Sequence, residues 1–168
     1  MKKTLQTVKM KPNPAGKDRT KTGVSEVQLG AEWADIKNVG AYNVDLAGTN
    51  LYHKAYKPDG KWDWELVKAL TGVLKPGEVL RVHSGKGPLV ILRDEDKSGA
   101  HYHTFVGESR YVWNNDRGDT AGLWQPATKE WDDEVPYDAN PPEGVTLQRV
   151  GNKLVPPATG TSSAYARR

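Results

Sequence analysis

Apolar and polar residues alternate in short runs along this chain, with a period of two, and no segment sustains a period of 3.6. Val27 and Leu29 begin one run, and residues 33–38 continue it: Ala34 and Ile36 point one way, Trp33, Asp35 and Lys37 the other. Val44 and Leu46 alternate again until Gly48 breaks the run. Residues 51–56 and 62–66 flank Lys57-Pro58-Asp59-Gly60, where Pro presets φ and Gly supplies a left-handed position. These two runs are expected to pair as a hairpin, although residues 65–71 also suit a short helical turn. Leu74-Lys75-Pro76-Gly77-Glu78 is a second Pro-Gly turn and leads into a strand at residues 79–83.

Later in the chain, Leu89-Val90-Ile91-Leu92 reads as a short buried strand, and residues 101–106 and 145–150 as two more. Tyr111-Val112-Trp113, a polar turn over residues 114–119 and an apolar run to Leu123-Trp124 read as another hairpin. Residues 125–144, rich in acid and proline, look irregular. Many short strands separated by turn signals indicate an all-β sandwich or barrel. The pattern divides the chain into an extended arm over residues 1–23, a β-sandwich over 24–151 and a Pro/Ser/Thr-rich tail over 152–168.

Charge sharpens that division. Residues 1–23 carry seven Lys/Arg and one Asp, whereas residues 24–166 carry fifteen Lys/Arg and twenty Asp/Glu. An acidic body therefore bears a basic arm, and a wholly basic nucleic-acid binder is excluded. Lys2, Lys3, Lys9, Lys11, Lys17, Arg19 and Lys21 are the arm's candidate partner-binding residues. The expected partner is a protein or a neighbouring copy of the chain, since Thr4 to Met10 suits strand addition to a sheet edge; nucleic acid is the alternative. The chain has no cysteine, so disulfides and thiolate metal sites are excluded. No apolar run reaches the roughly 18–20 residues of a membrane helix, and the basic start lacks the apolar core of a signal peptide. The expected setting is the cytoplasm or an assembled particle, with no membrane partner; a structural subunit of a virus particle or filament, tied by its terminal arms, is the alternative to a free interaction module.

Four motifs carry a family likeness. Glu32-Trp33-Ala34-Asp35-Ile36-Lys37-Asn38 resembles the opening strand of the lamin-tail domain. Val44-Asp45-Leu46-Ala47-Gly48 is similar to its "V-D-L-S-G" segment, and Leu74-Lys75-Pro76-Gly77-Glu78 to its "L-x-P-G-E" turn. Trp113-Asn114-Asn115-Asp116-Arg117-Gly118-Asp119-Thr120 with Leu123 is similar to its "W-N-N-x-G-D-T" hairpin. The resemblance spans residues 26–151 and implies an immunoglobulin-like β-sandwich that binds or builds without catalytic residues of its own. Trp33, Ile36, Trp113, Asn115, Gly118 and Asp119 are then the fold-defining positions. Thr49-Asn50 stands where the family often has Trp, and residues 84–110 are longer than the family needs.

Candidate chemistry is sparse. His101 and His103 share a strand face at a spacing able to chelate zinc, given a third ligand such as His83 or His53; the alternative is two surface histidines. Asp94, Asp96 and Ser98, followed by Gly99, resemble the first half of a calcium loop, but Phe105 stands where such a loop needs a bidentate Glu. Arg117-Gly118-Asp119 spells an adhesion tripeptide inside a turn that has its own use for Gly and Asp. No serine lies in a nucleophile elbow, and no Gly-rich phosphate loop precedes a helix. The expectation is therefore no enzyme, no cofactor and no resident metal. Trp62 and Trp64 alternate on one hairpin face: exposed they suit stacking on sugar rings, and buried they are core, the reading favoured here.

Overall fold

A computed structural model describes residues 4–158 of the chain. In chain order its elements are β1 Leu5–Lys11, α1 Glu26–Gly30, β2 Trp33–Asn38, β3 Val44–Asp45, β4 Asn50–Tyr56 and β5 Trp62–Ala69. There follow β6 Val73–Leu74, β7 Val79–His83, a 3-10 turn Leu89–Ile91, α2 Asp94–Lys97 and β8 Tyr102–Phe105. The last four strands are β9 Asp119–Gln125, β10 Glu130–Tyr137, β11 Leu147–Val150 and β12 Lys153–Val155. One sheet has the order β12-β11-β1-β2-β7-β8, a second β10-β9-β4-β5, and β3 pairs with β6. The fold is an all-β sandwich, as the period-two pattern predicts. All the named pairings are antiparallel except β7 with β8, which the excursion through residues 84–101 makes parallel.

The core lies between the two large sheets. Leu5, Met10, Ala34, Ile36, Leu80, Val82, Leu147 and Leu154 come from the six-stranded sheet. Leu51, Val67, Ala121, Leu123, Val135 and Tyr137 meet them from the four-stranded sheet. Ala34 and Ile36 face this core as the alternation requires, opposite Val82 and Leu80 on β7. Trp33 and Asp35 point the other way and are buried too, because α2 and its flanking loops cover that outer face. There Arg81 grips Asp35 through Nε and a second nitrogen at 2.7 and 2.8 Å, lies 3.6 Å above the Trp33 ring, and donates to the carbonyls of Asp96 and Ser98.

The structure corrects several expectations. Residues 5–11 are an inner strand of the six-stranded sheet, between β2 and β11. Leu5 and Met10 are fully buried. A bulge between Thr7 and Lys9 shifts the phase, so the inward residues are Leu5, Thr7 and Met10, and the strict alternation is lost from the sequence. Residues 27–29 fall in α1, capped by the Ser25 hydroxyl accepting from the Gln28 amide. Residues 89–91 form a 3-10 turn with Val90 exposed. Residues 130–137 are a strand, bulged between Trp131 and Asp133, whose Pro136 sits on an edge, where its missing N–H breaks no ladder. The arm of Tyr111 to Trp113 has no strand pairing. β12 extends the sheet past residue 151; residues 159–168 of the expected tail lie outside the described residues.

Candidate binding face of the four-stranded sheet

Alternation decides which side chains reach the outer face of the four-stranded sheet. Leu51 and His53 of β4 are buried, so Tyr52, Lys54 and Tyr56 point outward. On β5, Leu66, Trp64 and Trp62 stand opposite these three. On β9, Gly122 lies beside Tyr52 and Trp124 beside Asn50, and on β10 Trp131 lies beside Trp124. Four of the six tryptophans therefore share one outer face; Trp33 and Trp113 are the buried pair.

The rings pack on one another. Trp62 and Trp64 meet edge to face at 5.3 Å, and Trp64 and Trp131 lie 4.5 Å apart. Trp124 and Tyr52 close on Trp131 at 4.8 and 5.9 Å. Trp64 and Trp131 belong to opposite edges of the sheet and meet over Gly122. A Cβ at that glycine would stand 2.6 Å from the Trp131 ring and 3.2 Å from the Trp64 ring. Trp62 remains 39% exposed and Leu66 48%, so the layer is a surface. The expectation that Trp62 and Trp64 are core is corrected: they lie on the outer side of β5.

The W-N-N-x-x-G-D-T segment holds this face from behind. Asp119 is buried, and its Oδ1 accepts the Lys54 amide at 2.9 Å while its Oδ2 accepts the Asn114 amide at 3.0 Å. Asn114 Nδ2 donates to the Lys54 carbonyl at 2.8 Å, so β4 is tied at both backbone groups of Lys54. His53 sits between Asp119 at 2.9 Å and Glu65 at 3.0 Å. Burial disfavours its charge, but the two carboxylates outweigh burial and raise its pKa. Both ring nitrogens of His53 are thus engaged. Gly118 has φ +74°, and a Cβ there would lie 2.3 Å from the Tyr137 carbonyl. Arg117-Gly118-Asp119 thus does not present its carboxylate, which faces inward onto His53.

The remaining candidates fall elsewhere. His101 and His103 are not brought together: His101 Nδ1 accepts from the Val79 amide at 3.0 Å, whereas His103 meets His83 at 2.8 Å. His83 donates from Nδ1 to the Gly30 carbonyl and accepts from His103 through Nε2; burial pushes its pKa down to about 4. Asp94 and Asp96 also part. Asp94 is exposed, while Asp96 is buried, 2.5 Å from the Lys11 ammonium and accepting from Trp33 Nε1 at 2.9 Å. Ser98 Oγ donates to the Asp94 carbonyl. Among the described residues, no three His, Cys, Asp or Glu side chains gather as a metal-ligating group. Of the basic arm, Lys11 is buried in its ion pair, Lys9, Lys17, Arg19 and Lys21 are exposed, and Lys2 and Lys3 lie outside the described residues. No helix among the described residues is long and apolar enough to cross a membrane.

Of the fold-defining residues, Trp33 and Ile36 lie on β2, and Trp113 packs its ring 5.8 Å from His53. The Asn115 carbonyl accepts from the Asn140 amide at 2.6 Å. The sequence reading missed Tyr52, Lys54, Gly122, Trp124 and Trp131 as members of one face. The signal was present in Trp124 and Trp131 flanking a turn at residues 126–129, but a bulge at Asp132 moves the phase within an acidic run. Comparisons with protein-family models and with curated proteins find no match for this chain.

Proposed function

We propose that this chain is a lamin-tail-like, immunoglobulin-like β-sandwich that acts as a non-catalytic binding module. Its binding face is the outer aromatic layer of the four-stranded sheet, and its ligand is a saccharide. The observation that carries this reading is the placement of Trp62, Trp64, Trp124 and Trp131 outside the core, on one face and in mutual contact. Indole rings offer a broad apolar surface that suits the C–H face of a pyranose, and a soluble domain rarely exposes such a patch without a use for it. A carboxylate stands on the same face: Glu134 of β10 is exposed and pairs across from Gly122. Such a group suits hydroxyls along the rim of a mostly apolar site. The lamin-tail reading is supported by the four motifs, which fall in order at β2, β3, the turn before β7 and the turn before β9.

Affinity electrophoresis against a panel of neutral and acidic polysaccharides tests the proposal. At least one polysaccharide is expected to retard the protein, with Trp62→Ala or Trp64→Ala abolishing the retardation while the far-ultraviolet spectrum is retained. Unretarded migration across the panel contradicts it.

A further inference from the structure

Resting on that reading, we infer that the saccharide bound at the Trp62 end of the face carries spaced carboxylates, read by Lys54 and Arg117. Lys54 and Tyr56 on β4 stand opposite Trp64 and Trp62 on β5, so cation and rings alternate in a checkerboard. The Lys54 ammonium lies 4.1 Å above the Trp62 ring and 5.9 Å from that of Trp64. The Arg117 guanidinium lies 5.5 Å from the Tyr56 ring. Neither cation has a carboxylate within ion-pair distance among the described residues. The neighbouring acids have other partners: Asp63 pairs with Lys57 at 2.8 Å, and Glu65 with His53 and Arg110.

Beside Tyr56 the face continues into an open cleft of about 340 Å³, lined by Tyr56, Lys57, Asn115, Asp116 and Arg117 among others. Two unpaired cations over aromatic rings are complementary to a ring-shaped ligand with an acid substituent. The guanidinium fork suits a carboxylate or a phosphate, and the rings suit the sugar's C–H face. Asp116 and the acidic balance of residues 24–166 disfavour a dense polyanion, so a phosphate at every unit, as in single-stranded nucleic acid, fits less well than sparse carboxylates. The backbone of Lys54 is fixed by Asp119 and Asn114, so its position does not depend on the ligand.

Titration calorimetry with paired oligosaccharides tests the inference. The pairs are an oligogalacturonate with its methyl ester and a hyaluronan oligosaccharide with its carboxyl-reduced form; single-stranded DNA is a third arm. The intact chain is expected to bind an acidic member at least fivefold more tightly than its neutral partner. Lys54→Gln and Arg117→Gln are each expected to weaken the acidic member by roughly three- to fivefold more than the neutral one, the size of an exposed charge pair. Trp62→Ala is expected to weaken both. Equal affinity for acidic and neutral members, unchanged in Lys54→Gln, overturns the carboxylate inference and leaves the aromatic-face reading standing. Absence of binding to every acidic member overturns the inference. Tighter, salt-sensitive binding of DNA overturns the saccharide assignment itself.

Discussion

Three buried titratable groups, Glu32, His53 and His83, show how single residues set this molecule's behaviour. The Glu32 carboxylate accepts from the amides of Val112 and Trp113 at 2.8 and 3.2 Å and contacts the Ser84 hydroxyl. It ties β2 and β7 to the segment before β9. Burial nevertheless pushes its pKa up to about 8 against those hydrogen bonds. A buried acid with a raised pKa holds its proton more tightly in the folded state, so stability falls as pH rises between its ordinary value of 4.5 and about 8. His53 acts in the same direction: its raised pKa gives stability that is complete below the unfolded value and is lost as pH climbs through the folded one. His83, lowered from 6.5 to about 4, acts oppositely and withdraws stability as pH falls through that window. Thermal melts should therefore show a lower midpoint at pH 9 than at pH 6. Glu32→Gln should flatten that slope, whatever its effect on the midpoint at pH 6; a slope unchanged in the variant would contradict the assignment. Gly118→Val should destabilise by at least about 1–3 kcal/mol in urea, since it adds positive-φ strain to a backbone collision.

Elements were legible where the alternation was uninterrupted. β2, the β4–β5 hairpin and β7 could be read because Ala34 and Ile36, residues 51–56 and residues 79–83 keep period two between turn residues. β10 could not, and β1 was legible only as a segment able to add to a partner's sheet edge, because each carries a bulge that reverses the phase halfway, at Thr7/Lys9 and at Trp131/Asp133. Leu89 to Ile91 misled in the other direction: three apolar residues in a row form an exposed turn in a segment that covers β2 and β7 with α2. The placement of β1 has a direct consequence. Met10→Ala is expected to cost about 2–5 kcal/mol in a urea melt, as for any fully buried methionine. An effect near zero would return residues 5–11 to the role of a free arm. Gly122→Ala is a second test at this scale. Its Cβ displaces the Trp131 and Trp64 rings, and it should change the near-ultraviolet circular dichroism of the tryptophans while the far-ultraviolet spectrum stays β-rich.

For the whole molecule, the two sheets of the sandwich are built differently on their outer faces. The β2–β7 part of the six-stranded sheet carries α2 and loops on its outer face, where Arg81 pairs with Asp35 and Lys11 with Asp96. The four-stranded sheet leaves its outer face to tryptophan. The sequence showed six tryptophans and the hairpin carrying two of them, but not that β9 and β10 bring two more across the sheet, because that union is made by pairings far apart in the chain. The most direct test of this account is a nitrogen–proton correlation spectrum of the indole groups, recorded while a retarding saccharide is titrated in. The account predicts that the indole signals of Trp62, Trp64, Trp124 and Trp131 shift together, while those of Trp33, bonded to Asp96, and Trp113 stay in place. Shifts confined to Trp33 and Trp113, or to backbone amides of the six-stranded sheet, would contradict it.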